Sequence, residues 1–165
     1  MIFYSHCKKN TEIVKNLIQI NDNFIENTKS FEYLGYIITS ELDNTDDMIR
    51  VRNRFYVEFN TLLRNFSFTD KQIKLFLFRQ YCLQFYGSEL WFGGNVSQTV
   101  FKQFNIGFHK AIKKILELSY HESNHFACEQ AKILMFSHML NKLKVNALLR
   151  YFNNPCDYAV KVSTF

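Results

Sequence analysis

Asp46 and Asp47 are adjacent carboxylates, a pair that can hold two divalent metal ions about 3.5 to 4 Å apart for phosphoryl transfer. Their context argues against that chemistry. Asn44 and Thr45, which precede them, are residue types that cap helices, and a helical period of apolar residues follows. Acidic side chains in a first turn favour the positive end of the helix dipole. The pair is therefore predicted to start a helix rather than to bind catalytic metals.

His121, His125 and Cys128 have a spacing that can place ligands on one side of a helix, and His138 or Cys156 could complete a zinc site. No CxxC pair accompanies them. Two histidines near a helix start and a buried cysteine that bind no metal are commoner than a zinc site. Glycine-rich phosphate loops and nucleophile elbows are also missing from the sequence. We therefore predict no metal, no cofactor and no catalytic residue.

Lysine and arginine are concentrated in the second half of the chain. Residues 71–150 hold 11 Lys and Arg against 4 Asp and Glu, a net charge of +7, whereas residues 1–70 hold 8 against 10, a net charge of −2. A basic surface of this kind attracts phosphate groups. The candidate contacts to nucleic acid are Arg50, Arg54, Lys71, Lys74, Lys110, Lys113 and Lys114. Arg50 and Arg54 lie four residues apart on one helix face, for which a solvated face is the alternative explanation.

The composition of the 165 residues predicts one compact body. Hydrophobic residues make up 47% of the chain and aromatic residues 17%, which offers enough apolar surface to offset the entropy of ordering. The four cysteines are scattered and no secretory signal is recognisable, so we expect an intracellular location, nuclear or cytoplasmic. Cys82 is interpreted as a core residue because it lies in an apolar run, residues 73–86. Charged and amide side chains interrupt that run, so no membrane span is predicted.

The first forty residues favour strands and the remainder favours helices. Residues 1–5 and 17–20 are rich in strand formers, and the turn residues that follow predict that 23–26 folds back as a hairpin. Residues 31–38 form the strongest predicted strand, in which Gly35 marks a bulge or a close backbone approach. The fold class is therefore predicted to be α+β, with a short antiparallel β-hairpin layer before a mainly helical bundle.

Four helical segments are predicted after residue 43. The first has apolar residues at spacings of three and four up to Phe66. The second begins after Thr69 or Asp70 and extends to about residue 86, and its apolar residues on nearly every side predict the central, most buried helix. Ser97 is predicted to cap a third helix that ends near residue 119. The fourth covers 124–152, either continuous or interrupted by a break, and Pro155 ends it.

Five short strings, taken in order, resemble the last part of a reverse transcriptase from a non-LTR retrotransposon, where the palm ends and the thumb begins. They are Met1-Ile2-Phe3, Ile18-Gln19-Ile20-Asn21, Phe31-Glu32-Tyr33-Leu34-Gly35, Tyr86-Gly87 with Glu89 and Trp91, and Lys113-Lys114-Ile115-Leu116. An Ile49-Arg50 helix start and a basic segment at 71–79 fit the same order. A short string such as Tyr-Leu-Gly occurs by chance in unrelated proteins, so the joint order and spacing carry the resemblance.

The resemblance implies three parts of the chain. Residues 1–42 would form the edge of the palm, in which Tyr33, Leu34 and Gly35 resemble the primer grip. Residues 43–155 would form a thumb-like helical bundle, and residues 156–165 a tail. In the family, the catalytic aspartates occupy a tight β-hairpin whose counterpart would lie before Met1. The resemblance therefore implies a fragment of an RNA-directed DNA polymerase without its catalytic centre.

Three expectations for function follow. The first is weak, sequence-independent binding of RNA–DNA or DNA duplexes without enzymatic activity. The second, from a different class, is a helical interaction module with an aromatic surface that binds a protein partner or a second copy. Tyr86 and Trp91 are expected to be core or interface aromatics in either case. The third is a longer and active gene product, because Met1 falls where a strand of the family begins.

Overall fold

The computed structural model describes residues 18–20, 23–25, 28–88, 91 and 95–153. Within these ranges two short antiparallel strand pairs precede five α-helices, so the predicted α+β fold is confirmed. The predicted strand at residues 1–5, the helix stop at Pro155 and the predicted tail 156–165 lie outside the described residues. None of the described helices is long and apolar enough to cross a membrane.

The first strand pair confirms the hairpin expected near the N-terminus. Strand β1 (Ile18–Ile20) runs antiparallel to β2 (Asn23–Ile25), with Ile18 opposite Ile25. Strands β3 (Ser30–Tyr33) and β4 (Tyr36–Thr39) form a second antiparallel pair in which Tyr33 lies opposite Tyr36.

The prediction of one continuous strand over residues 31–38 is wrong, because Leu34 and Gly35 form a two-residue turn between β3 and β4. Their φ angles are 49° and 80°. Positive φ at both central residues matches the twist of a tight hairpin, and glycine adopts it without steric cost. Gly35 therefore reverses the chain rather than forming a bulge or a close approach.

Helix α1 (Thr45–Asn65) matches the first predicted helix. Asp43 Oδ1 accepts a hydrogen bond from the Thr45 backbone N–H at 2.9 Å and another from its hydroxyl at 2.6 Å. These bonds stabilise the entry of the chain into the first turn. The apolar stripe that faces the core consists of Met48, Val51, Phe55, Phe59 and Leu62.

Helix α2 (Lys71–Leu77) is shorter than predicted and continues into a π-helical turn, Phe78–Cys82. The side chain of Asp70 caps it, accepting from the Gln72 N–H at 2.7 Å. The prediction that this helix is central and most buried is wrong. Its apolar residues form two opposite faces, and only the face that carries Leu75 is buried in the core. Phe76 and Tyr81, on the other face, are 57% and 65% exposed.

Helix α3 (Gln98–Leu116) takes the central position instead, with seven buried residues. It packs on α1 through a close approach at Gly107, where an added Cβ would lie 1.9 Å from the Tyr56 hydroxyl oxygen. The core around α3 is a cluster of phenylalanine rings with at most 1% exposure: Phe55, Phe78, Phe104, Phe108 and Phe136. The closest pair in this cluster, Phe104 and Phe136, has ring centroids 4.7 Å apart.

The fourth predicted helix is interrupted by a break, which gives α4 (Asn124–Gln130) and α5 (Phe136–Phe152). Lys132 has a φ of 51°, and the Ile133 N–H donates to the Cys128 carbonyl at 2.9 Å. This left-handed ending satisfies the last carbonyls of α4. The Arg79 guanidinium also donates to the Ala131 carbonyl, which ties the break to the π-helical turn.

Candidate nucleic-acid interface

Three of the predicted lysines line one cleft at the C-terminal half of α3. Lys110, Lys113 and Lys114 follow one another at spacings of three and four residues, which places them on neighbouring positions of the helix surface. The cleft has a volume of about 400 Å³, and its described lining also includes Ile106, Leu118, Tyr120 and Asn124. We call it the lysine cleft. Its described lining contains no aspartate or glutamate, so the three ammonium groups set its electrostatic character.

Tyr120 also lines the lysine cleft. It lies in the connection between α3 and α4, and Lys113 Nζ donates to its backbone carbonyl at 3.2 Å. Its side chain is 75% exposed. The ring also contacts the His121 ring, with centroids 4.2 Å apart. Sequence reasoning missed this residue, although a single aromatic in the polar run 119–124 after a basic helix is a recognisable signal of an exposed ring.

His109 lies on α3 beside the lysine cleft but is buried. Its Nδ1–H donates to the Asn105 carbonyl at 2.8 Å, whereas Nε2 is buried without a described partner. Burial lowers the pKa of this imidazole below its usual 6.5; the bond to the Asn105 carbonyl opposes that shift, and the Lys113 charge adds to it. His109 is therefore kept neutral and adds no charge to the cleft near neutral pH.

Arg50 and Arg54 occupy α1 and are each paired with a carboxylate of the same helix. Arg50 Nη2 lies 2.8 Å from Asp47 Oδ1, and its side chain is largely covered. Arg54 Nε lies 2.7 Å from Glu58 Oε1 and is mostly exposed. Exposed pairs of this kind contribute little to stability. Neither arginine lines the lysine cleft.

Lys71 and Lys74 belong to α2 and are likewise outside the lysine cleft. Lys71 is exposed at the first position of the helix. Lys74 Nζ donates to the Ser67 carbonyl at 2.9 Å, a bond that holds the connection between α1 and α2. The seven predicted basic residues are thus divided among three helices, and only the three on α3 line this cleft.

The residues that resemble a primer grip form the tip of the β3–β4 hairpin. Tyr33 and Leu34 are exposed there, and Gly35 completes the turn. Behind the tip, the Tyr36 ring stacks on the Tyr86 ring with centroids 5.0 Å apart. Gly87 lies under the same ring, where an added Cβ would come within 1.9 Å of Tyr36 Cε1. The first residue of β4 after the turn is therefore held against Tyr86 and Gly87, while Tyr33 and Leu34 are exposed.

Asp47 joins this hairpin to α1 and to Trp91, a role that sequence reasoning missed. Its carboxylate is buried and accepts from the Trp91 indole N–H at 2.8 Å, from the Ile37 backbone N–H at 3.2 Å and from Arg50 Nε at 2.9 Å. Trp91 is buried, as expected for a core aromatic. Asp46, in contrast, is exposed. The two adjacent acids point to different environments and do not form a metal-binding pair.

The described residues contain no group of three His, Cys, Asp or Glu side chains that could hold a metal ion. His121 and His125 are exposed, whereas Cys128 is buried. Cys82 is also buried; burial, and to a lesser extent the Glu58 charge, raises the pKa of its thiol to about 12. Burial likewise raises the pKa of Cys128. Both thiols therefore stay protonated and unreactive at neutral pH.

Comparison with known proteins identifies no relative: no protein-family model, curated protein or solved structure matches this chain.

Proposed function

We propose that the chain binds RNA–DNA or DNA duplexes weakly and without sequence preference, as a thumb-like fragment of a non-LTR reverse transcriptase that has no polymerase activity of its own. The order of the sequence strings supports the family. The observation that carries the binding function is the lysine cleft, which is lined by Lys110, Lys113 and Lys114 and by the exposed Tyr120.

The chemistry of the cleft suits phosphate groups of a nucleic acid backbone. Ammonium groups neutralise phosphates and release their condensed counterions, which supplies sequence-independent affinity. Lysine acts as a flexible point charge, so the three side chains can follow a backbone without reading base edges. The Tyr120 ring offers a flat apolar surface beside them, suited to contact with a sugar or a terminal base.

The salt dependence of duplex binding tests this proposal. The logarithm of the binding constant should fall linearly with the logarithm of salt, and each lost phosphate contact should reduce the slope by about 0.9. Replacing Lys110, Lys113 and Lys114 together by Gln should reduce the slope by up to about 2.7 if all three touch phosphates. The matched control replaces the exposed residues Lys29, Arg64 and Lys142 by Gln, which removes the same charge away from the cleft.

The control should keep most of the parental slope. If both triple variants lose the same slope, net charge rather than the cleft attracts the duplex, and the proposed site is wrong. If the parent does not bind duplex at low salt, the nucleic-acid function is wrong. Random-sequence and defined-sequence duplexes should bind equally, since contacts to phosphates carry no sequence information.

The proposal includes the absence of polymerase activity. Primer extension needs carboxylates that hold metal ions at the primer end, and Asp46 and Asp47 have different environments. The purified chain should not extend a primed RNA or DNA template with Mg²⁺ or Mn²⁺. Template-dependent incorporation that disappears when both aspartates are changed to Asn would contradict this part of the proposal.

The alternative function is a helical module that binds a protein partner. It is favoured by α5, whose outward side carries four exposed apolar residues at helical spacing: Val145, Leu148, Leu149 and Phe152. Association that persists at high salt, together with no measurable duplex binding, would favour this alternative over the lysine cleft.

A further inference from the structure

A shallow apolar groove lies between α1 and α2, on a different part of the surface from the lysine cleft. It has a volume of about 370 Å³, and its apolar lining includes Val57, Leu62, Phe66, Leu77 and Tyr81. Glu58 is the single acidic or basic side chain among its described lining residues, and it is paired with Arg54 at 2.7 Å. The groove therefore presents an apolar surface whose one charge is already compensated.

The outward face of α2 continues this groove as a ridge. The core side of the helix carries Leu75, Phe78 and Cys82, at spacings of three and four residues. Ile73 and Phe76 lie three residues apart on the opposite side and are both more than half exposed. A helix with apolar residues on two opposite faces needs partners on both, and the monomer covers only one.

The exposed apolar area at this place is large for a monomer. We define the α1–α2 patch as six exposed side chains, Val57, Phe66, Phe68, Ile73, Phe76 and Tyr81. Their exposed fractions correspond to roughly 700 to 800 Å², given the size of aliphatic and aromatic side chains. The largest patch on a typical monomer is about 300 to 600 Å². A standard protein interface buries about 800 Å² on each partner, which this patch nearly supplies by itself.

We propose that the α1–α2 patch binds a second copy of this chain across a two-fold axis. A two-fold contact needs a self-complementary surface, and here a groove and a ridge lie side by side, so the ridge of each copy can enter the groove of the other. The groove adds no unpaired charge to such a contact, because Glu58, the one charged residue of its described lining, is paired with Arg54.

The apolar side of α5 is less suited to a two-fold contact. Among the described side chains of this helix, the four exposed apolar ones correspond to about 400 Å², which is ordinary for a monomer. Helix α5 therefore provides a control surface. The dimer is independent of the proposed nucleic-acid function, because the patch lies apart from the lysine cleft.

Sedimentation equilibrium on nuclease-treated protein tests the dimer. The parent should dimerise with a dissociation constant that stays nearly constant from about 50 to about 500 mM salt, because an apolar contact is not screened. Phe76→Glu and Tyr81→Glu should each weaken the dimer by about tenfold or more, since a charge must then be buried in the contact. Leu149→Glu introduces the same charge on α5 and should keep the parental dissociation constant.

Three results would overturn the proposal. A parent that stays monomeric at about 100 µM does not associate at a useful affinity. Equal weakening by Leu149→Glu would show that added negative charge, rather than the patch, opposes association. Growth beyond two copies would show a head-to-tail contact instead of a two-fold one. Phe76 and Tyr81 are exposed in the monomer, so unchanged helix content by circular dichroism should accompany the loss of the dimer.

Discussion

The Asp47 carboxylate connects three parts of the chain, and we expect its removal to lower the stability of the fold. It accepts from three donors that belong to different parts of the chain: the Trp91 indole, the Ile37 backbone and the Arg50 guanidinium. The change Asp47→Asn keeps the size of the side chain but replaces one oxygen by an amide NH₂. In either orientation of the amide, its NH₂ group faces at least one of these N–H donors, which then loses its acceptor.

The cost follows from the burial of these groups. Asp47 is 3% exposed and Trp91 is 5% exposed, so the indole N–H cannot turn to water when its acceptor is lost. An unpaired buried donor costs about 1 to 3 kcal/mol, and bonds to a charged acceptor are roughly twice as strong as neutral ones. The Arg50 side chain is 26% exposed, so its guanidinium is partly solvated and its share of the cost is smaller than that of the indole. We expect Asp47→Asn to lower the free energy of unfolding by about 2 to 4 kcal/mol.

Asp46→Asn is the matched control, because it removes the same charge from the same first turn. Asp46 is exposed, so its loss should cost only the interaction with the helix dipole, about 0.5 kcal/mol. Urea unfolding followed by circular dichroism measures both variants. Trp91 is the only tryptophan, so its fluorescence reports on the indole environment directly, and its emission should change in Asp47→Asn but not in Asp46→Asn. Equal free energies of unfolding for the two variants would refute this account of Asp47.

Three further predictions concern buried side chains. Phe108→Ala should lower the free energy of unfolding by about 3 to 5 kcal/mol, whereas Phe76→Ala, measured on dilute monomer, should change it by less than about 0.5 kcal/mol, because only Phe108 is in the core. Burial lowers the pKa of His109, so as the pH falls through 6.5 the unfolded chain binds the proton before the folded chain does. The parent should therefore lose more stability than His109→Gln between about pH 7.5 and 5.5, as measured by urea unfolding. In a chain that keeps Cys82 as its single cysteine, a thiol reagent at about pH 8 should react only as fast as the protein opens, because burial raises the pKa of this thiol to about 12.

One result would contradict each of these three predictions. A large effect of Phe76→Ala on the dilute monomer would mean that the outer face of α2 is covered within one chain. Parallel pH profiles for the parent and His109→Gln would mean that this imidazole does not resist protonation. Immediate reaction of Cys82 in the folded protein would contradict its burial.

The sequence by itself determined the elements whose signals are local. The stripe from Met48 to Leu62 predicted α1, and the turn residues after Ile20 predicted the first strand pair. The spacing of Lys110, Lys113 and Lys114 placed these residues on neighbouring positions of one helix before any tertiary structure was considered. These features depend on backbone period and on residues a few positions apart, and that information is contained in the residue order.

Where two local sequence patterns were equivalent, only the tertiary structure decided which of them became buried or hydrogen-bonded. The two apolar faces of α2 have the same periodicity, and the position of α1 and α3 determined that Phe78 is buried and Phe76 exposed. Asp46 and Asp47 are identical in type and adjacent in sequence, yet the indole of Trp91, 44 residues away from Asp47, made only Asp47 structural. Helical spacing specifies a face, whereas burial and hydrogen bonding require distant residues to meet, so these outcomes could not be read from neighbouring residues alone.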